Sequence, residues 1–171
     1  MRIVINDANI LIDLIHLELI TLFFQLEQLE LKTTDFVFEE LNYEQKEALQ
    51  NFVDDGKLLI IDSEEEDLIN ISNILSQTKG LSFEDCSVWY FAKLHDGILL
   101  TGDGKLRKQS SHDGVEVRGI LFIFDHLLLN GLISFEFAIL KLNQLYQIND
   151  RLPIEAKNQR LDCWRQLEHI I

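Results

Sequence analysis

Positive charge is scarce in this sequence. Its 15 Lys and Arg stand against 29 Asp and Glu, a formal net charge of −14. Such acidity opposes non-specific nucleic-acid binding, which depends on neutralising phosphates. The deficit is uneven: residues 1–70 hold 17 acidic and 4 basic side chains, residues 71–171 hold 12 and 11. A polyanion is therefore expected to approach over the second half, where Lys105, Arg107, Lys108 and Arg118 make the densest basic cluster. Cysteine is scarcer still. Cys86 and Cys163 form no CxxC or Cys/His spacing, so two buried thiols in a reducing cytoplasm are expected, and the sequon Asn70-Ile71-Ser72 is incidental. The five histidines (16, 95, 112, 126 and 169) also lack ligand spacing, which argues against zinc. Long apolar runs are missing too. Leu17 to Phe24 and Ile120 to Leu129 fall well short of the ~20 residues a spanning helix needs. Asp7 arrives before any apolar h-region develops, so no signal peptide is expected. There is no internal repeat, linker or low-complexity tract.

What is present is the composition of a folded globular chain. Hydrophobic residues make up 47% and aromatics 9% of 171 residues, enough for one ordinary domain with its own core. Arg2 to Asn6 reads as a buried strand, and Ala8 to Leu31 as two helices. Thr33 to Phe38 reads as a second strand, with a helix following Glu39-Glu40-Leu41 to Val53. Asp55-Gly56 is a turn, and Lys57 to Ile61 a third strand. The acidic run Ser63 to Asp67 suits the positive end of a helix dipole, and its plain meaning is a solvated helix start. Lys79-Gly80 ends that helix. Ser82 and Asp85 then form a weak capping box before an apolar helix through Leu94. Ile98 to Thr101 is a fourth strand, Asp103 to Gln109 a short helix and Val115 to Val117 a fifth strand. From Ile120 onward the pattern is helical, punctuated by Gly131 and Pro153.

Strands alternating with helices imply a mostly parallel α/β sheet, whose ligands sit beyond the carboxyl ends of the strands. Acids stand at those ends: Asp7 after the first strand, Asp103 after the fourth, and Glu39 and Glu40 after the second. Each has a structural explanation when taken singly. Asp7 reads equally as the cap of the helix at Ala8. Asp85 completes the Ser82 box, and Asp103 sits in a Thr101-Gly-Asp-Gly104 turn. Strand alternation puts Glu39 and Glu40 on opposite faces, so only one can point at Asp7. Taken together the acids are harder to explain structurally. Carboxylates gathered at one sheet edge repel one another and are costly to desolvate, and a hard divalent cation with all-oxygen ligands removes that cost.

VINDANIL, the EEL at Glu39 to Leu41, LSFEDCSVWYFA and LLTGDGKLRK, in that order, resemble the four acidic motifs of PIN-domain nucleases. The resemblance covers residues 3 to about 118. It implies a three-layer α/β/α fold with a twisted, mostly parallel sheet of four or five strands in the order 3-2-1-4-5. By that likeness Asp7, Glu40, Asp85 and Asp103 are catalytic and hold Mg²⁺ or Mn²⁺; Glu40 is chosen over Glu39 because it directly precedes Leu41. Asn9 and Thr101 match the family's supporting polar positions. Residues 119–171 are similar to the tails of longer prokaryotic PIN-like proteins. They are expected as a helical C-terminal extension packed on a single domain spanning 1–171, with Asp125 on a helix surface rather than in the site.

The activity implied is hydrolysis of RNA by a metal-activated water, without a covalent nucleophile. Lys105, Arg107 and Lys108 would position RNA phosphates, although a solvated basic helix face explains them equally well. The toxin-like members of the family suggest an antitoxin partner and a homodimer, for which the apolar stretch Leu17 to Phe24 could supply the face or, equally, the core. Two other enzyme classes fit poorly. A haloacid-dehalogenase-type phosphatase needs an acid two residues after its nucleophilic Asp, and here that residue is Asn9. Gly102-Asp-Gly-Lys105 lacks the spacer and the Ser or Thr of a Walker loop. A non-catalytic PIN-like module that binds a basic partner remains the alternative.

Overall fold

Strand β1 (Arg2–Asn6) is β-branched and apolar because it is central, with Val4, Ile5 and Asn6 fully buried. The computed structural model describes residues 1–149 and 152–168. Asp150, Arg151 and His169 to Ile171 lie outside the described residues, so the reading of His169 as a non-ligand falls there. On one side β1 pairs with β2 (Leu29–Thr34), which pairs with β3 (Leu58–Ile61); on the other it pairs with β4 (Ile98–Leu100), which pairs with β5 (Glu116–Arg118). All pairings are parallel, and the order is β3-β2-β1-β4-β5 as expected. Register matters for the site. Asn6 lies opposite Leu100, so β1 and β4 end level and the Asp7 amide donates to the Leu100 carbonyl at 3.0 Å.

Helices surround this sheet. After β1 comes α1 (Ala8–His16), whose Ala8, Ile10, Leu11 and Leu14 form one buried stripe. A short α2 (Ile20–Phe23) leads into β2, and α3 (Asp35–Glu40) and α4 (Tyr43–Asp54) precede β3. Asn42 and Gln45 form a reciprocal capping box on α4. Helix α5 (Glu65–Gln77) opens on the acidic run, with Glu64 and Asp67 as its box. Helix α6 (Phe83–Leu94) packs on β1, β2 and β4 and against α3, α5 and α7 (Gly104–His112).

Several expectations are corrected. The second strand is Leu29–Thr34, not Thr33 to Phe38: Leu29, Leu31 and Thr33 turn inward while Glu30 and Lys32 are partly exposed, and Thr34 caps the next helix by accepting from the Val37 amide. Residues 35–40 are therefore helical. Glu39 and Glu40 end α3 rather than follow a strand, and they diverge by ~100° rather than by strand alternation. Of the two readings of Leu17 to Phe24, the structure bears out the core: Leu17, Leu19, Ile20, Phe23 and Phe24 are buried within the chain. Of the two thiols, Cys86 is buried but Cys163 is exposed.

The chain divides into two compact units, Met1–Phe122 and Ile123–Ile171, and the boundary falls inside α8 (Ile120–Leu129). The second unit contains α9 (Phe135–Ile148), capped by Ser134, and α10 (Ile154–Glu168). Asp125 on α8 is half-buried rather than a plain surface residue. It ion-pairs with Arg160 at 3.1 Å and accepts from Trp164 Nε1 at 3.3 Å, while the Trp164 ring packs on Phe124. Among the described residues, no helix is long and apolar enough to cross a membrane.

Candidate functional site

Asp7 is the first residue past β1 and the N-cap of α1 by position, yet its side chain makes no capping hydrogen bond. Its Oδ2 instead accepts from Thr101 Oγ1 at 2.6 Å and from Asn9 Nδ2 at 2.5 Å. The cap explanation of this acid therefore fails for the carboxylate itself. Asp7 is only 5% exposed, and burial pushes its pKa up to about 6, against the Thr101 hydrogen bond, which lowers it, and with the nearby Asp85 charge, which raises it further.

Thr101 and Asn9 tie the ends of β1 and β4 together. The buried Thr101 hydroxyl also accepts from the Asp103 amide at 3.0 Å, and Asn9 Oδ1 accepts from the Gly102 amide at 2.8 Å. Gly102 is small for a reason, because a Cβ there would lie 3.2 Å from Asn9 Oδ1. Asp103 caps α7, with Oδ1 accepting from the Leu106 amide at 2.7 Å. Asp85 likewise completes the Ser82 box, its Oδ2 accepting from the Ser82 amide at 2.8 Å. For both residues the structural role is real and uses one carboxylate oxygen. The other oxygen is left for a different partner.

Glu39 points away and ion-pairs with Lys46 at 2.7 Å. Glu40 is an exposed residue at the end of α3, and partial desolvation, then the charges of Glu84 and Asp85, raise its pKa. Glu84 was not singled out from the sequence, where only its position beside Asp85 hinted at it. Thr34 and Ser87 were missed too. Their hydroxyls meet at 2.8 Å, both fully buried, and join the start of α3 to the second turn of α6. Ser87 donates to the Glu84 carbonyl at 2.7 Å, so Thr34 is the donor to Ser87. This bond sets the helix carrying Glu40 against the helix carrying Asp85.

Charge thus links Asp7 with Asp85 and Asp85 with Glu40, and Thr101 hydrogen-bonds both the Asp7 carboxylate and the Asp103 backbone amide. Among the described residues, no three His, Cys, Asp or Glu side chains are gathered closely enough to hold a metal ion as they stand. The donor set nevertheless fits a hard divalent cation. It is all oxygen, and its central aspartate is buried beside a second carboxylate, a charge arrangement that a cation relieves. Of the basic residues, Lys105 and Lys108 are exposed, whereas Arg107 is half-buried and donates to the Thr101 carbonyl at 3.2 Å.

A family model described as PIN domain (DUF3368) matches residues 3–166. No curated protein matches the chain significantly. PIN domains are generally nucleases and typically use divalent metals, and both the strand order and the acidic edge agree with that frame. With nearly its whole length matched, the chain belongs to the PIN-domain family.

Proposed function

We propose that the chain is a Mg²⁺- or Mn²⁺-dependent ribonuclease that hydrolyses phosphodiester bonds with a metal-activated water. The observation that carries this reading is the buried Asp7 carboxylate, oriented by Thr101 and Asn9 and raised by burial and by Asp85. Asp7 and Asp85 would hold the ion, with Asp103 and Glu40 as the further carboxylates. When bound, the cation lowers the pKa of a water and offsets charge on the reacting phosphoryl group. The chain's own residues do the rest. Thr101 and Asn9 fix Oδ2 of Asp7, so its rotation needs two hydrogen bonds broken. Exposed Lys105 and Lys108 attract phosphates to an otherwise acidic surface. Arg107 braces the β4–α7 junction from behind Thr101.

Residues 119–171 are read as a helical extension of the same domain, which a family match running to residue 166 supports. In biological terms the reading suits the toxin of a cytoplasmic toxin–antitoxin pair, with a basic antitoxin segment on the acidic edge. A non-catalytic module for a basic partner is the second reading. It is favoured by one observation, the lack of three gathered metal ligands among the described residues.

Thermal melts with and without Mn²⁺ separate the two. The nuclease reading expects Mn²⁺ to raise the melting temperature of the wild type and Asp7→Asn to remove most of that rise. It also expects cleavage of a structured RNA with Mn²⁺ and loss of cleavage in Asp103→Asn. An intact protein that ignores Mn²⁺ points to the binding module. Equal residual cleavage in the variant indicates a contaminating nuclease.

A further inference from the structure

Helices α5, α6 and α7, all in the first unit, enclose a cleft of about 770 Å³. That volume suits a ligand of small-molecule size. Its lining differs from the rest of this acidic chain. Asn73 and Gln77 of α5 present side-chain amides, each both donor and acceptor, and Gln109 of α7 presents a third, whose Nε2 also donates to the Lys79 carbonyl at 3.5 Å. Tyr90 of α6 and His112 of α7 present rings. The carboxylate in the wall, Asp113, is neutralised: Lys93 Nζ lies 2.7 Å from both its oxygens, and Trp89 Nε1 donates to it at 3.1 Å. Lys108, by contrast, is exposed and has no ion pair among the described residues. The lining side chains thus carry one net positive charge in a protein of charge −14, with Asp67 just behind, accepting from the Tyr90 hydroxyl at 2.9 Å. Amides that pair with base edges, rings that stack and one free cation are the chemistry that recognises a nucleotide.

The cleft is also placed along a line from the carboxylate edge. Helix α7 begins at its Asp103 cap. A rise of 1.5 Å per residue puts Lys108 about 7.5 Å and His112 about 13.5 Å along the axis from Asp103. Lys105, Lys108 and His112 share one stripe of the helix by their three- and four-residue spacing. A strand with a phosphate near Asp103 would therefore run along a cationic track into the cleft.

We propose that the α5–α6–α7 cleft is a nucleotide subsite that seats one base of single-stranded RNA, with Lys108 on the adjoining phosphate. The subsite rests on the ribonuclease reading for its substrate but not for its geometry. It lies beyond the carboxylates and gives the enzyme a means of preferring one base at a fixed offset from the cut.

The test is an anisotropy titration of a short, labelled single-stranded RNA in EDTA, where no cleavage occurs, against wild type and a Lys108→Ala/His112→Ala double variant. Both substituted residues are exposed, so the fold is kept, and unchanged melting verifies it. The double variant is expected to bind about tenfold more weakly, a loss of about 1.4 kcal/mol, and AMP is expected to compete with RNA in wild type. Its Mn²⁺-induced melting shift is expected to equal that of wild type. RNA binding that is undetectable in wild type, or equal in the double variant, overturns the subsite. So does competition by polyglutamate as strong as by AMP, which would reassign the cleft to an acidic protein segment. The nuclease reading fails by a different sign, the absence of both a Mn²⁺ shift and cleavage in wild type, whatever the cleft binds.

Discussion

Across the β1–β4 pair, the Thr101 hydroxyl donates to Asp7 Oδ2 at 2.6 Å, joining residues 94 apart in the chain. The same hydroxyl accepts from the Asp103 amide at 3.0 Å, so one buried atom holds the carboxylate of Asp7 and the backbone of Asp103. Parallel pairing makes this possible. Asn6 opposite Leu100 brings both strands to an end at the same level, and the next residue of each, Asp7 and Thr101, meets its neighbour. The relation also determines how the acidic edge responds to pH.

Ionising Asp7 in its buried site is costly, which is why its pKa rises to about 6. A carboxylate raised in the folded state contributes stability that is complete below the ordinary carboxylate pKa and lost as pH rises through the folded value. A shift of about two units corresponds to about 3 kcal/mol in all, of which roughly half is lost between pH 5 and pH 7.5. In EDTA, the difference in denaturant stability between those pH values should shrink by this amount in Asp7→Asn. Identical pH slopes in variant and wild type would remove Asp7 as the cause. With Mn²⁺, ion and proton compete for Asp7, so the melting shift seen at pH 7.5 should fade at pH 5.

Thr101→Val keeps the volume and deletes the hydroxyl. Asp7 loses a bond that holds its pKa down, so that pKa should rise further above 6, and the Asp103 amide is left without its partner. The expected cost at pH 7.5 is about 2 kcal/mol, smaller at pH 5 where Asp7 is protonated. Denaturation at both pH values checks this. A penalty independent of pH would mean that the hydroxyl serves packing at this position and not the carboxylate.

The parallel order and the placement of Asp7 and Asp103 beyond neighbouring strands were legible because Arg2 to Asn6 and Ile98 to Thr101 are apolar runs too short to be helices, each followed by turn residues. The start of β2 was not legible. From Ala8 to Leu31 the apolar residues run on with little interruption, and a buried strand and a buried helix share that pattern. Only the pairing of Arg2 with Leu29 decides it, and pairing is a tertiary fact. Glu39 and Glu40 were misplaced for the same reason. Glu39 ion-pairs with Lys46 on α4, seven residues further along, a contact that no motif displays. The capping bonds of Asp85 and Asp103 are equally invisible in a motif, because the capping and catalytic patterns are the same letters.

Gly80 adopts φ +72°, and a Cβ added there would lie 2.8 Å from Lys105 Nζ. The left-handed backbone costs an L-residue about 1 kcal/mol, whereas the far end of a lysine moves easily. Gly80→Ala should therefore lower the melting temperature by about 2–4 °C, and by nearly as much in a Lys105→Ala background. Full recovery in that background would place the cost in the lysine contact instead of the backbone.

Ser87 stands between α3 and α6, and it acts on Glu40 only through Thr34. Ser87→Ala leaves the buried Thr34 hydroxyl without its acceptor, for an expected loss of about 1–2 kcal/mol. The same change frees the start of α3, whose last residue is Glu40. If the bond positions Glu40, Mn²⁺-dependent cleavage should fall beyond what the stability loss explains, and Ser87→Thr, which restores a hydroxyl, should recover part of it. Measuring kcat and KM at a temperature where all three proteins are fully folded separates the effects. A Ser87→Ala enzyme that is less stable but cleaves at the wild-type kcat would confine this hydroxyl pair to holding the helices together.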